Sequence, residues 1–408
     1  MPLLLNAATL VTCAAPGGQG QLHGVSDAAL AWEEGRVLWV GPQADLPQRY
    51  RALEPVDAQG QLVLPGLVDC HTHLAFGGWR ADEFERRIQG TSYLDIAREG
   101  GGIARTVRQT RARPEEQLFE LARDHLRAMT RLGVTTVECK SGYGLDFDHE
   151  LKLLRLYRRL NASKPNHIVS TFLGAHVVPG EYAHDPDAYV QVLVEQMIPA
   201  VAEQQLASFC DVFVERSAFD LKQARAVLEA GARHGLRPKL HADQLSDGGG
   251  AALAAELHAI SADHLEHVSP EGIAALAQAG VVAVSLPIAT LTLNQPALPA
   301  RALIQAGVPL AVATDFNPGS APSYHLPWAM SLACVLQRMT PAEVVKGATL
   351  YAAQAIGMER EVGSLTPGKR ADFVLVDAPD VNHWLYHFRP NAVTRVFIDG
   401  VEVKEEAS

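Results

Sequence analysis

The sequence predicts an α/β protein: a TIM-like (β/α)8 barrel with a small β-sandwich domain built from both termini. Eight short apolar segments rich in β-branched residues recur along the chain, and helical patterns lie between them. Strand-like pieces with glycine turns occupy both ends of the chain. The first observation predicts the barrel and the second predicts the additional domain.

Each of the eight apolar segments is predicted to be a parallel strand, covered by helices outside and packed with side chains inside. They span residues 67–71, 134–139, 168–173, 211–215, 238–241, 261–264, 281–286 and 309–314. Pro114 opens a helix that runs towards Leu132, and Ser269 opens another that stops at Gly280. Eight such units over roughly 250 residues match a barrel of this class. A doubly wound sheet is the alternative, but no GxGxxG motif follows the first strand.

The chain ends are predicted to form one sandwich that the barrel interrupts in sequence. Its strands are expected at 9–11, 28–32 and 36–40, and at 372–376, 393–398 and 401–403. The predicted domains are therefore residues 1–60 with 361–408 as the composite β-sandwich, and residues 61–360 as a metal-dependent hydrolase barrel.

Composition excludes several classes of function. The 408 residues are 48% hydrophobic and 20% charged, which is typical of a well-buried globule. The net charge is −11 without a Lys/Arg-rich block, so nucleic acid and anionic membranes are poor candidate partners. Five cysteines without CxxC spacing predict reduced thiols, and the first residues carry no signal-peptide pattern. A cytoplasmic protein is expected.

The run Asp69-Cys70-His71-Thr72-His73 follows the first predicted strand. Alternate residues of a strand share a face, which places His71 and His73 about 7 Å apart on one side. Two imidazoles there can converge on one ion at the strand ends, where barrel active sites lie. Two surface histidines also meet this spacing by chance, so the pair alone is weak evidence.

Polar residues at other strand ends strengthen the prediction. His241 ends the fifth strand, His264 the sixth, and Asp315 follows the eighth. A hydrogen-bonded core histidine is the simpler interpretation of any one of them, but their coincidence favours a site at the barrel mouth. Three histidines and a carboxylate suit Zn²⁺ or Fe²⁺/Fe³⁺ and leave room for an activated water. Asp315 could bind the ion and accept the water proton, and His264 could bind the substrate carbonyl or hold the attacking oxygen.

These residues and their surroundings carry a family resemblance. The supporting runs are His71-Thr72-His73-Leu74-Ala75-Phe76-Gly77-Gly78-Trp79-Arg80, Lys140-Ser141-Gly142-Tyr143-Gly144, Gly174-Ala175-His176, His241-Ala242-Asp243-Gln244 and Thr314-Asp315-Phe316-Asn317-Pro318-Gly319. Over nearly its whole length the chain resembles the amidohydrolase superfamily and, within it, the imidazolonepropionase family of histidine degradation. The resemblance implies hydrolysis of the ring amide of 4-imidazolone-5-propanoate to N-formimidoyl-L-glutamate.

The resemblance also implies a single divalent ion, Zn²⁺ or iron, held by His71, His73, His241 and Asp315. Dinuclear relatives place a carboxylated lysine at the end of strand four, where this chain has Glu215-Arg216. Lys140 instead ends strand two and is interpreted as a structural residue or as support for the ligands. Asp315 and His264 are the expected catalytic residues.

Seven residues are predicted to bind the substrate, an anionic small molecule. They are Arg80, Tyr143, His176, Gln244, Asn317, Gly319 and Ser320. The planar guanidinium of Arg80 would pair with the substrate carboxylate, while Asn317, Gly319 and Ser320 would hold the formimino end. Gln244 stands where related deaminases and some relatives carry a glutamate that moves protons, which an amide cannot do. A homodimer is expected from the family.

Two rival hypotheses are another mononuclear amidohydrolase, either a deaminase or a cyclic-amide hydrolase, and a catalytically dead scaffold. Gln244 and Arg80 weigh against the first. The presence of every expected type of ligand weighs against the second.

Overall fold

The computed structural model describes residues 2–163 and 165–404. Its strands are β1 (Pro2–Val11), β2 (Gly24–Glu33), β3 (Arg36–Pro42), β4 (Glu54–Asp57), β5 (Leu62–Pro65), β6 (Leu67–Asp69), β7 (Val134–Lys140), β8 (His167–Ala175), β9 (Phe209–Phe213), β10 (Arg237–Ala242), β11 (Ser261–His264), β12 (Val282–Ser285), β13 (Leu310–Val312), β14 (Phe373–Val376), β15 (Val393–Ile398) and β16 (Val401–Glu402).

Helices connect most of these strands. They are α1 (Ala81–Ile88), α2 (Tyr93–Arg98), α3 (Gly102–Ala112), α4 (Glu115–Arg131), α5 (Phe147–Ser163), α6 (Pro186–Val192), α7 (Ile198–Glu203), α8 (Leu221–Arg233), α9 (Gly250–Glu256), α10 (Pro270–Ala279), α11 (Pro287–Thr292), α12 (Ala300–Gln305), α13 (Leu326–Gln337), α14 (Pro341–Lys346), α15 (Ala352–Ala355) and α16 (Val381–Tyr386). Two π-helical turns occupy Leu193–Met197 and Gly347–Tyr351, and short 3₁₀ turns occupy Gln43–Asp45, Gln48–Tyr50 and Gly180–Tyr182.

The central feature is a parallel eight-stranded sheet in which β6 to β13 lie side by side in chain order. Its first and last strands meet beyond their ends, where Asp315 N–H donates to the His71 carbonyl at 3.0 Å. His73 N–H likewise donates to the Phe316 carbonyl at 2.9 Å. The sheet is thus a nearly closed barrel, and each strand overlaps its predicted segment, which confirms the predicted fold class.

The boundaries of the two predicted helices are also confirmed. Helix α4 follows Pro114, whose missing N–H costs nothing at a helix start, and it ends before Leu132. At α10 the Ser269 hydroxyl accepts the N–H of Gly272 at 3.2 Å, and Gly280 ends the helix with a left-handed φ of 70°. Local capping chemistry therefore sets where these two helices begin and end.

A second, mixed sheet combines strands from both chain ends, in the order β16-β15-β14-β5-β1-β2-β3, with β4 beside β1. It curls over its own apolar core: the Trp32 ring of β2 lies 5.2 Å from the Phe373 ring of β14 and 6.1 Å from the Phe397 ring of β15. Strand β5 belongs to this sheet because it pairs with both β1 and β14. The sheet consequently extends past residue 60, the predicted boundary, since local periodicity does not distinguish β5 from the barrel strand that follows one residue later.

Within residues 2–163 and 165–404, no helix combines the length and the apolar character needed to cross a lipid bilayer.

Candidate active site

A narrow cavity opens at the carboxyl ends of the barrel strands. Parallel strands bring their carboxyl ends to one face of a barrel, so side chains far apart in sequence meet there. The lining contains ten of the predicted site residues: His73, Arg80, Tyr143, His176, His241, Gln244, His264, Asp315, Asn317 and Ser320. His71 is fully buried next to them, and Gly319 lies behind Arg80.

The predicted ligand residues converge on one point. Nε2 of His71 and Nε2 of His73 each lie 3.4 Å from Asp315 Oδ1. The His241 ring centroid lies 4.5 Å from that of His71, and donor atoms of His71, His241 and His264 are within 4.8 Å of one another. Two atoms bound to one tetrahedral zinc ion, each about 2.05 Å away, would be about 3.3 Å apart. The spacing of the His71, His73 and Asp315 donors therefore matches shared coordination.

Hydrogen bonds fix which nitrogen two of these histidines present. His71 Nδ1 donates to Asp263 Oδ2 at 2.6 Å, and His241 Nδ1 donates to Asp211 Oδ1 at 3.1 Å. Nε2 of both rings is buried and has no hydrogen-bond partner among the described residues. Buried imidazole nitrogens without partners are costly, and histidines backed by carboxylates are the usual ligands of zinc and iron. The residues present thus fit a divalent metal ion.

The charge states of His241 and Asp315 suit metal ligands. Burial lowers the pKa of His241 well below its ordinary value, as do the neighbouring His71 and Lys140, so the ring is neutral and its lone pair is available. Burial would raise the pKa of Asp315, but its interactions with the His71 and His73 rings, whose Nε2 atoms lie 3.4 Å from Oδ1, outweigh burial and hold the pKa well below the usual range. Asp315 is therefore a carboxylate.

Strained backbone turns the side chains of the strand ends into the cavity. Asp315 has φ 56° and His264 has φ 80°, followed by Leu265 at 68°. Non-glycine residues in this left-handed region are uncommon and concentrate at functional sites. The sharp turns end the strands and aim Asp315 and His264 at the same space.

His264 has an acidic neighbour, Glu266, for which the sequence predicted no role. Burial lowers the pKa of His264 to about 4, so the ring is neutral. Its Nδ1 lies 3.9 Å from Oε2 of Glu266, and neither atom has a hydrogen-bond partner in the described part of the chain. Burial raises the pKa of Glu266 to about 7, although Thr290 donates to its other oxygen at 2.7 Å.

Arg80 reaches the cavity from the loop after the histidine pair, and only 3% of the residue is exposed. Its Nε lies 3.8 Å from Glu83 Oε2, too far for a hydrogen bond. Nε and Nη1 have no hydrogen-bond partner among the described residues. A buried guanidinium with unpartnered donors calls for an anion, and the cavity that it lines is where one can reach it.

Two aromatic residues, Tyr143 and His176, form part of the cavity wall. The His176 ring stacks on His73 with centroids 5.0 Å apart, and Tyr143 lies 5.5 Å from His73. His176 Nδ1 donates to the Gly142 carbonyl at 3.0 Å, while burial lowers the pKa of His176 to about 3. The neutral ring therefore has its Nε2 as an acceptor, which suits a ligand N–H group.

The loop after Asp315 is held in shape by hydrogen bonds of the Asn317 side chain. The Asn317 Oδ1 accepts the N–H groups of Gly319 and Ser320, each at 2.8 Å. Asn317 Nδ2 donates to the Asp315 carbonyl at 2.7 Å. A Cβ at Gly319 would stand 1.1 Å from Arg80 Nη2. Asn317 thus shapes the loop, and Gly319 makes room for Arg80; binding of the formimino end stays a prediction.

The charges behind the predicted ligands and the apolar cavity wall were not predicted from the sequence. Asp211 and Asp263 lie within predicted strands, where a carboxylate inside an apolar run was the available signal. The apolar lining comes from four separate loops and elements and carried no local motif: Ile103, Phe213, Leu245 and Leu293.

Comparison with known proteins assigns this chain to a protein family. The model of the amidohydrolase family matches residues 182–403, so the chain is an amidohydrolase family member. Solved structures agree in fold: a triazine hydrolase variant has a TM-score of 0.75 at 16% identity, covering 98% of this chain and 94% of that one. An adenosine deaminase from Xanthomonas campestris with bound zinc has a TM-score of 0.72 at 20% identity, covering 98% and 92%.

Relatives with higher sequence identity indicate which amidohydrolase family the chain belongs to. The imidazolonepropionase of Geobacillus kaustophilus is 48% identical over 382 residues, which is 92% of this chain and 90% of that protein. The imidazolonepropionase of Cupriavidus necator is also 48% identical, over 95% of this chain and 93% of its own. The chain belongs to the imidazolonepropionase family.

Proposed function

We propose that this protein hydrolyses the ring amide of 4-imidazolone-5-propanoate to N-formimidoyl-L-glutamate. The observation that carries the proposal is Arg80, a buried guanidinium in the same cavity as Asp315 that has two nitrogens without a hydrogen-bond partner in the described part of the chain. The substrate has a ring amide for the metal site and a carboxylate tail for Arg80. The imidazolonepropionases that are 48% identical to this chain support the same substrate.

His71, His73, His241 and Asp315 would hold one divalent ion, Zn²⁺ or Fe²⁺/Fe³⁺. When bound, such an ion lowers the pKa of a water ligand towards neutrality and polarises a carbonyl oxygen. The proposal of one ion, and not two, is supported by Glu215 after β9. It lies where dinuclear relatives have a carboxylated lysine. Its carboxylate accepts the Leu245 N–H at 3.0 Å and the Ser246 hydroxyl at 2.6 Å.

The side chains of the site have separate roles in the proposed reaction. Arg80 binds the propanoate, and His176 accepts a ring N–H, which together hold the amide carbon over the ligand cluster. Asp315, a carboxylate, takes the proton of the attacking water, and His264 binds the carbonyl oxygen as charge develops on it. Asp315 then delivers the proton to the ring nitrogen as the C–N bond breaks. Gln244 cannot carry a proton and would serve as a hydrogen-bonding group.

The test is a product assay on metal-reconstituted protein. Release of N-formimidoylglutamate from imidazolone propanoate is expected, with no turnover of cytosine, guanine or dihydropyrimidines. Turnover of one of those three instead would establish the rival deaminase or cyclic-amide hydrolase. A metal content below about half an equivalent per chain in the same sample would support the rival hypothesis of an inactive scaffold, because a metal site of this kind retains its ion. A cytoplasmic location and a homodimer complete the proposal and rest on composition and family alone.

A further inference from the structure

A buried ammonium group lies behind the ligand cluster. Lys140, the last residue of β7, has Nζ 2.7 Å from Asp211 Oδ2, 3.3 Å from Asp263 Oδ2 and 3.1 Å from Glu138 Oε1. All four side chains are fully buried. Burial would lower the pKa of Lys140, but the charges of Asp211, Glu138 and Asp263 outweigh burial and raise it. Lys140 is therefore a cation inside the barrel.

Two of these carboxylates are the ones that orient the histidines. Asp211 accepts from His241 Nδ1 at 3.1 Å, and Asp263 accepts from His71 Nδ1 at 2.6 Å. A continuous chain of contacts thus runs from His241 through Asp211, Lys140 and Asp263 to His71. It links strands β7, β9, β10 and β11 to the loop after β6, and the ammonium of Lys140 lies between its two carboxylates.

We propose that Lys140 is a positioning residue for the metal site, which acts by holding the carboxylates of Asp211 and Asp263 in place behind His241 and His71. Each carboxylate fixes the ring orientation of its histidine and directs Nε2 into the cavity. Without the shared cation, two buried carboxylates would repel each other across the barrel, and each would turn away from its histidine. The inference rests on the proposed function, because it takes His71 and His241 as ligands.

Lys140 itself is not a ligand in this arrangement. Its ammonium is surrounded by carboxylate oxygens and keeps its protons, so it has no lone pair to offer. Its influence reaches the ion only through the two aspartates.

The barrel contains a matched control. Lys239 is equally buried and belongs to the same charged group, but its Nζ pairs with Glu138 Oε2 at 2.9 Å and donates to the Ala355 carbonyl at 3.1 Å. Lys140→Met and Lys239→Met each remove one buried ammonium. A purely structural role predicts similar effects for both variants, whereas the positioning role predicts an effect on the metal for one alone.

The experiment measures Zn²⁺ affinity by chelator competition on the metal-free full chain and its variants. Lys140→Met is expected to weaken Zn²⁺ binding roughly 10- to 100-fold, as removal of a residue that supports metal ligands does. Lys239→Met should keep an affinity close to wild type. The absorption spectrum of the cobalt-loaded protein should change with Lys140→Met and not with Lys239→Met, because it reports ligand geometry. Both variants are expected to lower the melting temperature of the metal-free protein.

Equal Zn²⁺ affinities for the wild type and Lys140→Met would overturn the inference, as would equal losses in the two variants. If Lys140→Met does not fold, Lys140→Gln, which retains hydrogen-bond donors without the charge, is measured in the same way with the same expectation. A wild-type protein that binds no Zn²⁺, Fe²⁺ or Co²⁺ would instead overturn the proposed function itself.

Discussion

Gly319 lies directly against the guanidinium of Arg80, so close that a Cβ at position 319 would stand 1.1 Å from Nη2. The two residues are distant in sequence, one before α1 and the other after β13. The absence of a side chain at 319 is therefore what lets Arg80 stay buried beside the cavity. The proposed binding of an anion by Arg80 depends on this contact as much as on the arginine.

Gly319→Ala is expected to displace Arg80 and raise the KM for imidazolone propanoate, with a smaller effect on kcat. Loss of a charge-assisted contact of about 1.5–3 kcal/mol corresponds to roughly a 10- to 100-fold loss in kcat/KM. Steady-state kinetics measures both constants. Gly180→Ala is the matched control, because a Cβ there meets nothing within 4 Å. An unchanged KM in Gly319→Ala would show that Arg80 does not bind the substrate.

Asp315→Asn should lower kcat by at least about 10³-fold, since it removes a general base and a charged metal ligand together. Asparagine tolerates the left-handed φ of 56° at this position, so the backbone should keep its course. Circular dichroism and the melting temperature of the metal-free protein check that the fold is retained. A variant with near-normal kcat would contradict the assignment of proton transfer to Asp315.

Gln244→Ala tests the residue that stands where some relatives have a glutamate. Because its amide does not transfer protons at neutral pH, the loss should equal that of a hydrogen bond, about 0.5–1.5 kcal/mol or roughly 2- to 10-fold in kcat/KM. The pH dependence of kcat should keep its wild-type shape. A loss comparable to that of Asp315→Asn would show that Gln244 takes part in the chemical step in a way that this mechanism does not include.

Glu266→Gln should change how stability depends on pH in the metal-free protein. Burial raises the pKa of Glu266 from 4.5 to about 7, so between these values the native state holds a proton that the unfolded state has released. The free energy of unfolding of the wild type therefore falls as pH rises through this window. Glu266→Gln does not have this pH-dependent loss. Its free energy of unfolding should therefore rise by up to about 3 kcal/mol relative to that of the wild type.

Urea denaturation of both proteins at several pH values measures that difference. The gain should be complete above pH 7 and absent below pH 4.5, the two pKa values that bound the window. A constant difference between wild type and Glu266→Gln across this range would mean that Glu266 is ionised in the native protein.

Much of this protein follows from its sequence alone. The eight barrel strands were predictable because each is a short apolar run between helices, and the polar residues that end them marked the mouth of the barrel. That is why His71, His73, His241 and Asp315 could be selected together before the structure showed them converging. The terminal sheet was predictable in outline from the strand-like segments at both chain ends. Strand β5 was not, because a short apolar segment does not indicate which of the two sheets it joins.

The contacts behind the ligands were decided only by the tertiary structure. Asp263 meets His71 across 192 residues of chain, and Lys140 meets Asp211 across 71. Such pairs depend on how the strands are staggered when the barrel closes, a geometry that no local pattern encodes. The residue types at the strand ends determined the chemistry, and the closure of the barrel determined which charges hold those residues in place.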